Sequence, residues 1–166
     1  MLSLPNSPVV SVNVDLEVIG PGDAAGVEEA WQLKERIRAQ EDVLKQRRGF
    51  FQEAYRRSTV HLLRVGDDLA GFVATRSDGY VLFLAIAPEY RGEGLGRRLV
   101  ETVADEHDRV TCHARTTNEE ALVFYERVGF EIVRRIDGYY EDDGDAFYLR
   151  LGDGGIRGKL SEFIRR

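Results

Sequence analysis

Cysteine is almost absent from this chain. Cys112 is the single one in 166 residues, which excludes an internal disulfide and any metal site built on several thiolates. Histidine is nearly as rare. His61, His107 and His113 show no metal-ligand spacing, so no metal is expected. Lysine occurs only at positions 34, 45 and 159, so arginine carries nearly all of the positive charge. The net charge of -6 argues against a broad phosphate-binding surface, and nucleic acid is not an expected partner. A pocket for one small polyanion needs only local charge and stays open. No apolar run approaches the roughly 20 residues of a membrane span. The start "MLSLPNSPVV" lacks the charged first stretch and long apolar core of a signal peptide. No membrane association and a cytoplasmic location are the expectations.

The residues that are present fit a soluble globular domain, with 43% hydrophobic and 31% charged. At this length one domain over residues 1–166 can bury a real core, about 11–151, with 152–166 as a C-terminal tail. "SVNVDLEVI" alternates as a first strand. Residues 24–57 are helical in composition, and Gly49 suggests two helices or one interrupted helix. "TVHLLRV" and "LAGFVATR" around "GDD" form a hairpin. "YVLFLAIAP" is a strand whose unbroken apolarity covers both faces. A glycine-led helix follows, then the strand "RVTCHAR" and the helix "NEEALVFYERVGF", with Asn118 as N-cap and Gly129 past its end. "FEIVRRI" and "DAFYLRL" are the last strands, and "IRGKLSEFIRR" could form a short amphipathic helix. The order β-α-α-β-β-β-α-β-α-β-β predicts an α/β (mixed α+β) fold, a central mixed sheet of about seven strands flanked by helices.

"APEYRGEGLGRRLVE" places Gly92, Gly94 and Gly96 at the start of a helix, where glycine is the poorest helix former short of proline. A helix N-terminus carries unpaired N–H groups and the positive end of the macrodipole, so it attracts anions. Glycines let a backbone approach such an anion closely. The bland alternative is a flexible turn. No Gly-Lys-Ser/Thr follows, so this is not a P-loop. Position 97 is Arg where the dinucleotide fingerprint needs Gly.

Three blocks carry a family resemblance. "RGEGLG" resembles the Arg/Gln-x-x-Gly-x-Gly/Ala pyrophosphate loop of the GNAT acetyltransferase superfamily. "NEEALVFYERVGF" is similar to its Asn-x-x-Ala-x-x-x-Tyr-x-x-x-Gly-Phe segment. "GYYEDDGDAFYLRL" resembles the Tyr-Tyr loop and last strand of the protein N-terminal (Nα) acetyltransferases, a branch that includes the ribosomal-protein alanine acetyltransferase. The likeness covers about residues 69–151. It implies a GNAT acyl-CoA N-acyltransferase fold with acetyl-CoA as cofactor, lying between splayed parallel strands at 80–87 and 109–115. It implies that backbone N–H groups near Ile86 and Ala87 hold the pantetheine and polarise the thioester. The pyrophosphate is then expected on Gly92, Gly94, Leu95, Gly96 and Arg97, with Arg91 leading the loop. Asn118 gains a cofactor contact beside its capping role.

Tyr125 lies on an apolar helix stripe, which alone reads as core. The resemblance implies a general acid for the departing thiolate. The position of the family's glutamate base is His113 here, and one branch pairs a histidine there, through a water, with a tyrosine corresponding to Tyr80. Without that resemblance His113 is an ordinary strand histidine. A histidine base suits an α-amine, with pKa near 8, better than lysine near 10.4. Strand alternation sends Cys112 and His113 to opposite faces, so direct attack by the amine is expected and not a covalent cysteine intermediate. Tyr139 and Tyr140 are expected to bind substrate. The family's aromatic-proline loop on the opposite wall is missing, since "RAQEDVLKQRRGFF" holds no proline. Partners are therefore a protein or peptide N-terminus, or a small amine or lysine side chain. A non-catalytic acyl-CoA-binding module is the alternative from another class. Either a monomer or a homodimer fits.

Overall fold

A computed structural model describes residues 13–152. The first residues of the predicted opening strand and the proposed tail helix lie outside them. The order of elements is the one the patterning predicts: β1 (Val14–Ile19), α1 (Val27–Glu41), α2 (Arg48–Arg57), β2 (Thr59–Val65), β3 (Asp68–Thr75), β4 (Val81–Ile86), α3 (Leu95–Glu106), β5 (Thr111–Arg115), α4 (Glu119–Val128), β6 (Phe130–Ile136) and β7 (Ala146–Leu151).

The seven strands do not make one continuous sheet. They form two antiparallel ladders, β1-β2-β3-β4 and β5-β7-β6. The ladders meet at a parallel bridge between Tyr80 and Thr111, where the Thr111 N–H donates to the Gly79 carbonyl at 3.1 Å. Gly79 explains why they meet here. Its φ is +85°, and a Cβ would lie 1.8 Å from the Arg109 carbonyl oxygen, so only glycine allows the approach. Beyond the bridge β4 and β5 are not paired, and a cleft opens between them.

The first ladder has a core on each face. Phe51 of α2 is fully buried and packs against Phe83 at 4.7 Å and Phe72 at 6.1 Å. Burial of such a ring is worth about 1.5–3 kcal/mol, which fixes α2 to the sheet. On the other face Leu95, Leu99, Val100, Val103 and Ala104 form the buried stripe of α3. In β4 burial alternates. Phe83 and Ala85 are buried while Leu84 and Ile86 are half-buried, and the latter two line the cleft. The unbroken apolarity of this strand therefore reflects one face in the core and one on a cavity.

Gly49 is not where the first helix breaks. α1 ends at Glu41, Asp42 and Leu44 take φ of 57° and 56°, and Gly49 sits inside the first turn of α2. Two non-glycine residues in the sparsely populated left-handed region turn the chain. The fully buried Lys34 holds this loop, its ammonium donating to the Gln46 carbonyl. α4 is capped as predicted, with Asn118 Oδ1 accepting the Ala121 N–H at 3.2 Å and Gly129 ending it at φ +117°.

Candidate active site

A cleft of about 750 Å³ runs from the glycine turn between α3 and α4 to the edge of β4. Gly92 and Gly94 hold φ of +80° and +82°, and a Cβ at either would meet only open space. What fixes glycine there is the turn. Gly96 has a different reason, since its Cβ would lie 2.9 Å from the Phe124 ring, so it sets the close packing of α3 on α4. No side chain caps α3, and the first-turn N–H groups, including those of Leu95, Gly96 and Arg97, have no intrahelical acceptor. Arg97 Nη2 donates to the Arg127 carbonyl at 3.1 Å. Arg91 forms part of the rim: its Nε donates to the Ile86 carbonyl at 3.1 Å, and it pairs with Glu41 at 2.8 Å.

Ile86 and Ala87 separate. The Ala87 N–H donates to Ala70 at 2.8 Å and the residue is buried, so it is committed to the ladder. Antiparallel pairing alternates the direction of successive N–H groups. The N–H groups of Ile86 and Leu84 therefore face the cleft. Leu84 is a residue the sequence reading missed, and strand alternation counted back from Ala87 would have found it.

At the mouth the bridge brings Tyr80 beside β5. Its hydroxyl lies 2.6 Å from His113 Nδ1, a direct contact where the resemblance implied a water. Burial first, then the Arg134 charge, holds the His113 pKa below 6.5. Burial first, then the neighbouring Tyr139 hydroxyl, pushes the Tyr80 hydroxyl well above 10. Tyr139 stacks on His113 with centroids 4.2 Å apart and an interplanar angle of 12°.

A second cavity of about 90 Å³ adjoins the first, walled by Val43, Leu44, Leu82, His113, Tyr125 and Tyr140. Tyr125 and Asn118 line both cavities. Burial first, then the neighbouring Cys112 thiol, pushes the Tyr125 phenol far above its usual range. The Cys112 thiol is itself pushed up to about 12 by burial, so it is not a thiolate near neutrality. Tyr140 carries the Arg115 guanidinium over its ring at 4.0 Å. Asp142 joins Arg115 at 3.0 Å and Lys45 at 3.2 Å, tying the α1–α2 loop to the β6–β7 loop across the mouth. Arg115 first, then the Gly144 N–H and Lys45, holds the Asp142 carboxyl well below the usual carboxylate range.

A family described as an acetyltransferase (GNAT) domain matches residues 56–132, which span the hairpin, the β4 edge, the glycine turn and α4. Over those residues the chain is similar to the GNAT acetyltransferase domain. N-alpha-acetyltransferase 30 of Saccharomyces cerevisiae is 38% identical over 81 residues, covering 46% of each chain. The 5-NmdU N-acetyltransferase of Pseudomonas phage PaMx11 is 31% identical over 86 residues, covering 48% of this chain and 61% of that one. The match thus spans less than two thirds of either relative. The ribosomal-protein-S18-alanine N-acetyltransferase from Escherichia coli shares the fold, with a TM-score of 0.68 at 22% identity over 84% of this chain and 93% of that one.

Other parts of the mouth had no local signal. Arg115, Lys45 and Asp142 are 27 and 97 residues apart along the chain, and nothing in their neighbours announces the contact. Among the described residues no group of three or more His, Cys, Asp or Glu could hold a metal, and no helix is long and apolar enough to cross a membrane.

Proposed function

We propose that this chain transfers an acetyl group from acetyl-CoA to a primary amine by direct attack, with the N-terminal α-amine of a protein or peptide as acceptor. The observation that carries the reading is the Tyr80 hydroxyl 2.6 Å from His113 Nδ1 at the mouth of a cleft whose far end is an uncapped helix N-terminus. The names of the yeast relative and the E. coli neighbour favour an α-amine.

The residues of the cleft fit acetyl-CoA. The Gly92–Gly94 turn with the N–H groups of Leu95, Gly96 and Arg97 would take the pyrophosphate, with Arg91 and Asn118 at the rim. The free N–H groups of Ile86 and Leu84 would hold the pantetheine and the thioester carbonyl, beside an apolar wall of their own side chains. When bound, acetyl-CoA supplies an activated acyl carbon and a thiolate leaving group. Tyr125 donates a hydrogen bond to the departing sulfur, its raised pKa keeping it protonated at working pH. His113 is the base. Its depressed pKa keeps the imidazole neutral at pH 7, and Tyr80 relays the amine's proton to Nδ1. Deprotonating a lysine at neutral pH costs about 3 kcal/mol more than deprotonating an α-amine, which favours the α-amine acceptor. Tyr140 lines the acceptor's cavity.

The test measures CoA release with two matched peptides, one with a free N-terminus and no lysine, the other N-terminally blocked with one internal lysine. Release with the first alone is the expected result. Release with the second alone would overturn the α-amine assignment. Silence with both, with CoA still bound, would move the acceptor to a small amine and then to the binding-module reading. The phage relative, named for acetylating 5-NmdU, supports the small amine as that second reading.

A further inference from the structure

We propose that Tyr139 is a positioning residue for His113, and that the adjacent tyrosines divide their work, with Tyr140 alone facing the acceptor. This rests on the reading of His113 as the base.

The two rings have different surroundings. Tyr140 is half-buried, lines the small cavity and lies under Arg115 at 4.0 Å. Tyr139 is perpendicular to it, at 5.0 Å and 90°. It stacks on the His113 imidazole at 4.2 Å, while Tyr148, the cross-strand partner on β7, lies 5.0 Å from the imidazole. His113 thereby packs against two phenol rings, one stacked and one tilted by 42°, and the stack fixes its plane. Tyr139 is itself 43% exposed, so its ring shields the imidazole from water on that side.

The hydroxyls make the same point. The Tyr139 hydroxyl lies 3.3 Å from His113 Nδ1 and the Tyr80 hydroxyl 2.6 Å from the same atom. A neutral imidazole nitrogen has one lone pair in the ring plane and accepts one good hydrogen bond. The shorter contact is the bond. The Tyr139 hydroxyl, at 3.3 Å, stands beside that bond, on the side where its ring covers the imidazole. The Tyr80 O–H thus donates to His113 Nδ1. One lone pair of the Tyr80 oxygen remains for the acceptor's proton. As that proton reaches the Tyr80 oxygen, the Tyr80 proton passes to Nδ1, leaving a neutral phenol and an imidazolium. The other charged groups nearby are Arg134, over Tyr148 at 4.9 Å, and Arg76, over Tyr80 at 4.6 Å and paired with Asp78 at 2.6 Å.

The test follows the three histidines by NMR titration, with His113→Gln identifying the His113 signal, beside steady-state kinetics. Tyr139→Ala should move the His113 midpoint up toward 6.5, because water reaches the imidazole, and lower kcat about tenfold with acceptor KM nearly unchanged. Tyr139→Phe keeps the stack and loses the hydroxyl. It should leave the midpoint in place and lower kcat by about twofold, less than Tyr139→Ala, because only the longer contact to Nδ1 is lost. A Tyr139→Ala midpoint equal to wild type, or an effect confined to acceptor KM, would overturn the proposal and make Tyr139 a peptide clamp. His113→Ala separates the two readings. An unchanged rate there sinks the base and the inference together, whereas a large loss beside an unmoved Tyr139→Ala midpoint sinks the inference alone.

Discussion

The glycine turn offers a ligand the backbone of residues 92–97, one short run of chain. The acceptor mouth instead gathers side chains from four separate segments: residues 43–46, Tyr80, the β5 strand and residues 139–142. The first region is made of N–H groups whose direction follows from local conformation. The second depends on tertiary contacts such as the Tyr80–Thr111 bridge and the Lys45–Asp142 ion pair. The two regions should therefore fail in different ways. Damage to the turn should weaken cofactor binding, and damage to the mouth should slow chemistry or weaken the acceptor.

The largest effect is expected at His113. Changing it to Ala should lower kcat by about 10²-fold, the range a positioned general base contributes. In the wild-type enzyme kcat/KM should fall as pH drops through the depressed His113 pKa, below 6.5, because only the neutral imidazole accepts a proton. A flat acid limb in wild type would break the assignment. Next is Gly94→Val. At φ +82° a β-branched residue is strained by about 1–2 kcal/mol, and the turn must open. Acetyl-CoA affinity measured by calorimetry should fall about tenfold or more, with the acceptor chemistry of whatever complex forms intact. Lys45→Ala is smaller. It releases one of the ties between the two mouth loops and should raise acceptor KM about two- to threefold, leaving cofactor affinity alone. Smallest is Asn118→Ala, which removes the α4 cap and should cost about 1 kcal/mol. A melting temperature lower by about 2–4 °C would register it.

The same contrast sets what the sequence could show. The element order, the Asn118 cap and the Gly129 stop were legible because each is set by residues within a turn of one another. The glycines were legible as a turn, though the separate role of Gly96 against Phe124 needed a second helix in place. Gly49 pointed rightly to two helices but not to the break between them, since it sits inside the first turn of α2. The chain actually turns at Asp42 and Leu44, in a loop anchored by the buried Lys34. Ala87 misled because strand pairing decides which N–H groups face a cleft, and the sequence does not print the pairing edge. Tyr80 and His113 stand 33 residues apart, and only the family resemblance paired them in the sequence. Arg115, Asp142 and Lys45 had no such help.

The most direct measurement of the separation between the two regions is acetyl-CoA titration calorimetry on His113→Ala beside wild type, with turnover followed on the same preparations. Equal affinity with turnover lost in the variant is the expected result. A variant that binds acetyl-CoA about tenfold more weakly, or one that turns over like wild type, would contradict it.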